Sequence, residues 1–262
     1  MTKSPLVNIM AQAAFKAAKS LIRDFGEVEN LQVSRKGPAD FVSNADNRSE
    51  KVIRQELEKA RPSYGFLLEE RGEIEGEDPD HQWIVDPLDG TTNFLHSIPH
   101  FAISIALKKK DKIIAGIVYD PIKDELFWAE HGGGAFANER RIRVSTRADI
   151  GDAIVAVEPP LRQHPQAENF FQAATQAAKL TSGVRTFGCA SLNLAYVAAG
   201  RCEGYFEYGL KPWDVAAGLL LVQEAGGYTS GLEASHDPFT GESVLATNAL
   251  LSETFQKNII GQ

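Results

Sequence analysis

The chain has 262 residues, 43% of them hydrophobic and 24% charged, a composition that excludes wholesale disorder. Its 27 basic and 35 acidic residues leave a net charge of −8, which excludes a general nucleic-acid binder working through a basic stripe. A chain of this length buries roughly three-quarters of its surface, and two cysteines, Cys189 and Cys202, point to a reducing cytoplasm rather than a disulfide framework.

The N-terminus MTKSPLVNIM lacks the apolar run of a signal peptide, and the strongest apolar stretch, Val215 to Val222, is too short to cross a bilayer, so a soluble cytoplasmic protein is expected. Leu6, Ile9, Met10, Ala14, Ala18 and Leu21 fall at helical spacing. SRKGPADFVSNAD reads as a loop, after which Asn44 or Asp46 can cap a helix carrying Val52, Ile53 and Leu57 and stopped by Pro62. Short strands follow at Gly65 to Leu68 and Trp83 to Val85. FAISIAL, KIIAGIVYD and ELFWAE are then strands joined by short turns, with a hairpin turn at Gly132 to Gly134. Residues 1–150 are therefore expected to build a large antiparallel sheet with helices.

Past Asp152 the rhythm changes to strands and helices in α/β alternation: AIVAV, a helix from Phe170 to Leu180, a helix from Ser191 to Ala199, GYFEY, a helix from Val215 to Ala225, and SVLAT. Residues 151–262 form this second half, packed on the first without a linker.

Certain acids sit where apolar runs end. Glu69 and Glu70 close one strand, Asp86 closes the next, Asp89 follows in a turn, and Asp214 follows Trp213 at a helix start. Apolar runs pull these carboxylates towards the core, where an uncompensated charge is costly. Arg71 alone is a basic neighbour in sequence, so a divalent cation is the better compensation. All-oxygen donors suit Mg²⁺ or Mn²⁺ rather than zinc. Within Asp86-Pro87-Leu88-Asp89-Gly90-Thr91-Thr92-Asn93, Pro87 is expected to turn the chain so that Asp86 and Asp89 face one point. Gly90 allows close backbone approach, and a helix starting here would aim the Gly90 and Thr91 amides at an anion. Carboxylates for metal beside amides for phosphate describe phosphoryl transfer.

WIVDPLDGTTNF (Trp83 to Phe94), PWDVAAGLLLVQEAGG (Pro212 to Gly227) and the upstream Glu69-Glu70 pair resemble the inositol monophosphatase family, within the lithium-sensitive, magnesium-dependent phosphatases that include fructose-1,6-bisphosphatase. The resemblance covers nearly the whole chain. It departs from the family at Leu68, where glycine is common, and at Cys189, where a hydroxyl residue is common.

The resemblance implies an α/β (α+β) five-layered α/β/α/β/α sandwich of the sugar-phosphatase type, commonly a homodimer. It places one Mg²⁺ on Glu69, Asp86 and the Leu88 carbonyl, a second on Asp86, Asp89 and Asp214, and a looser third near Glu69, with lithium inhibitory. Thr91, buttressed by Asp46, would orient the attacking water with Glu69, and the Gly90 and Thr91 amides would bind phosphate. Lys36 and Asp40 fall in the family's mobile loop. Asp89, Arg185, the Ala190 amide, Glu207 and Asp214 would contact substrate; without the family, Glu207 reads as a sheet-edge acid and Arg185 as a surface cation.

The function implied is hydrolysis of a small phosphomonoester, with myo-inositol 1-phosphate leading and fructose-1,6-bisphosphate, histidinol phosphate or adenosine 3′,5′-bisphosphate as rivals. A regulatory protein engaging the transcription machinery is the alternative from another class; RRIRV at Arg140 to Val144, the basic cluster such a surface could use, reads as a solvated strand. His81, His131 and His164 have no ligand spacing.

Overall fold

Helix α1 (Pro5–Phe25) starts where the Ser4 hydroxyl accepts the Val7 amide at 3.2 Å, with Pro5 in the first turn. Its buried stripe includes Met10, Ala14, Ala17 and Leu21, while Leu6 and Ile9 lie at its margin. The computed structural model describes residues 3–27, 33–37, 40–160, 164–233 and 235–261, with backbone alone for 33–37 and 40–43. The expected loop contains two strands, β1 (Val33–Gly37) and β2 (Asp40–Ser43), paired antiparallel with a register shift between Arg35 and Gly37. Helix α2 (Asn44–Ala60) follows directly and turns Asp46, Ser49, Glu50, Ile53 and Leu57 inward.

The large sheet is formed by β3 (Tyr64–Leu68), β4 (Gly72–Ile74), β5 (Asp78–Asp89), β6 (Ala102–Lys109), β7 (Lys112–Asp120), β8 (Glu125–Glu130), β9 (Gly134–Ala137) and β10 (Arg140–Ile142). Its eight strands run in the order β10-β9-β8-β7-β6-β5-β3-β4. It is not wholly antiparallel, because β3 reaches β5 around the β4 excursion and the two pair parallel. A further correction concerns Pro87. The strand does not end before it: β5 runs on to Asp89, with Asp86 opposite Ser104 and Asp89 opposite Ala102, so the segment between them bulges. A residue without an amide hydrogen is tolerated in a paired strand at such a bulge. Five-residue α3 (Thr91–Leu95) then begins at Gly90, whose φ of 88° is the left-handed region that favours glycine.

The small sheet comprises β11 (Ile154–Val157), β12 (Gly183–Arg185), β13 (Gly204–Tyr208), β14 (Gly227–Ser230) and β15 (Ser243–Asn248), in the order β12-β11-β13-β15-β14. Helix α4 (Ala167–Leu180) precedes β12, α5 (Ala190–Ala198) and α6 (Pro212–Glu224) flank β13 in sequence, and α7 (Ser252–Phe255) follows β15. Three apolar clusters separate the layers. One joins α1 and α2 to the large sheet, one joins α5 and α6 to both sheets, and one joins α4 and α7 to the small sheet. The result is the five-layered α/β/α/β/α sandwich.

Burial follows position in that stack. Every residue of α5 is buried, as is the run Val215 to Val222 of α6, whereas α1 and α4 each expose a face. The central layer is tightly set: a Cβ on Gly116 would lie 2.9 Å from the Ala217 Cα, and one on Gly218 would lie 2.5 Å from the Leu194 Cβ. No helix among the described residues is long and apolar enough to cross a membrane.

Candidate active site

Four of the carboxylates singled out above, Glu69, Asp86, Asp89 and Asp214, come together where the end of β5 meets the starts of α5 and α6. Asp86, on the β5 bulge, is 2% exposed and its Oδ1 accepts the Leu88 amide at 2.9 Å. Burial pushes its carboxyl well above the ordinary carboxylate range, and the negative charges of Glu69, Asp89 and Asp214 push it further. Asp214, in the first turn of α6, is raised by burial and then by Asp89 and Glu69, and it lies close enough to Asp86 to share a hydrogen bond. Its Oδ2 accepts the Lys211 amide at 2.8 Å, closing the helix start. Asp89 is also raised by burial, but Ser191 and Cys189 pull in the opposite direction by hydrogen bonding.

That opposition comes from the start of α5. Asp89 Oδ2 accepts the Ser191 amide and the Ser191 hydroxyl, each at 2.6 Å, and the Cys189 thiol at 3.0 Å. The Ala190 amide contributes in the same sense, so it serves Asp89. The thiol at 189 thus makes the donor contact that a hydroxyl would make.

Thr91 Oγ1 lies 3.2 Å from Asp46 Oδ1 and 3.0 Å from the Leu88 carbonyl, so its single proton is shared between two acceptors. Ser49 on the same helix as Asp46 donates to the Pro87 carbonyl at 2.8 Å and ties α2 to the bulge. Arg71 pairs with buried Glu50 at 3.5 Å, and among the described residues no lysine or arginine forms an ion pair with Asp86, Asp89 or Asp214. Lys36 and Asp40 lie on β1 and β2, and their side chains are outside the described residues.

The donor chemistry fits a divalent cation, because buried, mutually repelling carboxylates with no basic partner become favourable once an ion of opposite charge joins them. No three acidic, histidine or cysteine side chains among the described residues stand ready as a ligand set. One oxygen each of Asp86, Asp89 and Asp214 is held by the protein, and the second oxygen of each is the one a cation would engage.

The second acidic wall belongs to the small sheet. Glu207 sits on β13, a central strand between β11 and β15 rather than a sheet edge. The Tyr205 hydroxyl donates to its Oε2 at 2.5 Å. Burial, followed by the charge of Glu158, raises the Glu207 carboxyl well above its usual range, with Asp214 and Asp89 adding to the shift. Arg185 is exposed on β12 and donates to the Val184 carbonyl at 3.0 Å. Gly132 to Gly134 make the β8–β9 turn, with the Gly132 and Gly134 amides donating to Glu224 at 2.7 and 2.8 Å.

Four residues at the site escape the sequence reading: Asn93, Glu158, Ser191 and Tyr205. Glu158 carried the same signal as Asp86, an acid closing an apolar run, in VAVE. Ser191 and Asn93 could be found only from the tertiary structure, since Asp89 lies 102 residues from Ser191, and Phe187 and Gly188 lie 94 and 95 residues from Asn93.

Comparison with known proteins identifies the family and the fold. The model of the inositol monophosphatase family matches residues 2–261. An inositol-1-monophosphatase of Mesorhizobium japonicum is 52% identical over 259 residues, covering 99% of this chain and 97% of the relative. The Nus factor SuhB of Escherichia coli is 40% identical over 255 residues, covering 97% and 96%. The crystal structure of the extragenic suppressor protein suhB from Bartonella henselae superposes with a TM-score of 0.94 at 52% identity, over 98% of each chain.

Proposed function

Because the chain belongs to the inositol monophosphatase family, a family of phosphatases, we propose that it hydrolyses a polyol phosphomonoester, myo-inositol 1-phosphate foremost, with Mg²⁺ as cofactor. One observation carries the reading: Asp86, almost fully buried, lies beside the half-buried Asp89 and Asp214, the three repel one another, and none has a basic partner among the described residues.

Glu69, Asp86, the Leu88 carbonyl, Asp89 and Asp214 would hold the cation. When bound, it neutralises phosphate charge and makes water nucleophilic near neutral pH. The chain's own groups do the rest. Thr91, on a hydroxyl already shared with Asp46, orients the attacking water together with Glu69. The Gly90 and Thr91 amides, at the start of α3, point their N–H groups towards the phosphate oxygens. Glu207 and Asp89, on opposite walls of the site, accept hydroxyls of the leaving polyol.

Phosphate release from myo-inositol 1-phosphate and from fructose-1,6-bisphosphate, with Mg²⁺, with EDTA and with Li⁺, tests the reading. Release from the inositol ester that EDTA abolishes and Li⁺ depresses is expected. Turnover unaffected by EDTA would overturn the metal assignment, and preference for the sugar bisphosphate would overturn the substrate.

A further inference from the structure

Glu158 closes β11 with a carboxyl only 7% exposed, and the proposed reaction gives it no part. Its Oε1 accepts three donors: the Phe187 amide at 2.6 Å, the Gly188 amide at 2.7 Å and the Asn193 side chain at 3.1 Å. Two of these lie in the turn that leads into α5 and the third lies on α5 itself. A single carboxyl oxygen therefore fixes both the approach to the helix and its first turn; burial raises this carboxyl and its three donors oppose the shift.

The same turn is held from the opposite side. Asn93, on α3, donates to the Phe187 carbonyl at 2.7 Å, with the Gly188 carbonyl at 3.3 Å and the His100 carbonyl at 2.8 Å. Gly188 has a φ of 77°, and a Cβ there would lie 2.9 Å from the Asn93 amide nitrogen, so only glycine lets the turn pass between its two clamps. Glu158 comes from the small-sheet half of the molecule and Asn93 from the segment following the β5 bulge.

What this clamp positions is the group of donors directly downstream. Cys189, Ala190 and Ser191 all act on Asp89, two of them at 2.6 to 3.0 Å from its Oδ2. A shift of the turn by a few tenths of an ångström would lengthen every one of these contacts together. Resting on the reading that Asp89 and Glu207 accept substrate hydroxyls, we propose that Glu158 is a positioning residue: by anchoring the start of α5 it sets the orientation of Asp89, and with it the discrimination between a polyol phosphate and a phosphomonoester that has no hydroxyls.

The full chain is compared with Glu158→Ala and Glu158→Gln. Ala removes the acceptor. Gln keeps one carbonyl oxygen, neutral and able to serve part of the donor set, and should rescue partially. Two readouts are taken with Mg²⁺ present. The first is kcat/KM for myo-inositol 1-phosphate divided by kcat/KM for p-nitrophenyl phosphate. This ratio should fall about tenfold in Glu158→Ala, through KM for the polyol ester, and less in Glu158→Gln. The second is the rate of iodoacetamide labelling of each cysteine under native conditions. Cys189, released from Asp89, should label about tenfold faster in Glu158→Ala, while Cys202, buried elsewhere in the central layer, keeps its rate. An unchanged substrate ratio with unchanged Cys189 labelling would overturn the proposal, as would equal acceleration at both cysteines, which marks general loosening. If the unaltered chain hydrolyses neither ester, the proposed function fails, and the labelling readout still decides whether Glu158 holds the start of α5.

Discussion

On the wall of the site built by the large sheet, Asp86 receives one backbone amide and faces Glu69, Asp89 and Asp214. On the wall built by the small sheet, Glu158 receives two amides and a carboxamide, and Glu207 receives a phenol. Residue type and depth are similar; the supply of donors differs. The first wall leaves charge unbalanced, which is the condition under which a divalent cation is bound. The second supplies Glu158 with several neutral donors and Glu207 with one, although burial still raises both carboxyls, and it is suited to shape the site and to read hydroxyl groups. Asp89, at the end of β5 on the first wall, faces Asp86 and Asp214 while its Oδ2 is saturated by Cys189 and Ser191 at the start of α5.

The comparison breaks most visibly at Asp86. Asp86→Asn keeps the side-chain shape and an acceptor for the Leu88 amide but removes one of the repelling charges. Turnover should fall by at least about 10²–10³-fold, the usual loss when one charge-stabilising group is removed. The melting temperature of the metal-free protein should hold or rise, because a buried like-charge contact has gone. A fall in stability accompanied by near-normal turnover would mean that the large-sheet wall is structural.

A smaller effect is expected on the other wall. Glu207→Gln preserves the volume and an oxygen for the Tyr205 hydroxyl. KM for the polyol ester should rise about tenfold with kcat within a few-fold, because the lost interaction is with a hydroxyl rather than the reacting phosphate. Steady-state kinetics on the inositol ester and p-nitrophenyl phosphate side by side check this. A fall in kcat equal for both esters would place Glu207 among the groups that act on the reacting phosphate.

The rule that found the large-sheet wall, an acid closing an apolar run, is true of Asp86 and Glu69 but also of Asp120, at the end of β7. Asp120 is fully buried, yet it is satisfied by the Ile122 and Lys123 amides at 2.9 Å and by the Lys123 ammonium at 2.6 Å. Sequence shows that an acid will be buried; it does not show which donors the tertiary fold will bring to it. The layers come with the family resemblance that WIVDPLDGTTNF and PWDVAAGLLLVQEAGG carry, whereas the residues alone give the change of rhythm near residue 150. The bulge at Pro87 could not be read, because proline ends a strand or sits at a bulge according to what the neighbouring strand does, and β6 lies beyond α3. Glu207 looked like an edge acid for the same reason: its central place depends on β15, some forty residues later, pairing beside it.

The smallest expected effect concerns the seam where the two walls meet. His100 precedes β6, its ring stacked on Phe187 at 5.4 Å between centroids and its carbonyl held by Asn93. Its Nδ1 lies 3.4 Å from the Lys123 ammonium, which leaves the ring proton on Nε2. Burial first, and then the Lys123 charge, lower its pKa from 6.5 to about 4, with Asp120 opposing. The folded protein thus keeps the ring neutral where the unfolded chain takes up a proton. Stability from this group is fully present above pH 6.5 and is lost as pH falls through about 4. His100→Phe retains a ring for Phe187 to stack on and removes the titration. Urea midpoints measured for both proteins between pH 7 and 4 should converge towards the acid end, the variant losing less stability over that interval. Because every other titratable group is common to the two proteins, the difference between the curves isolates the seam. Parallel curves would mean that His100 takes up its proton at the same pH in the fold as in the unfolded chain, so that the seam does not hold the ring neutral.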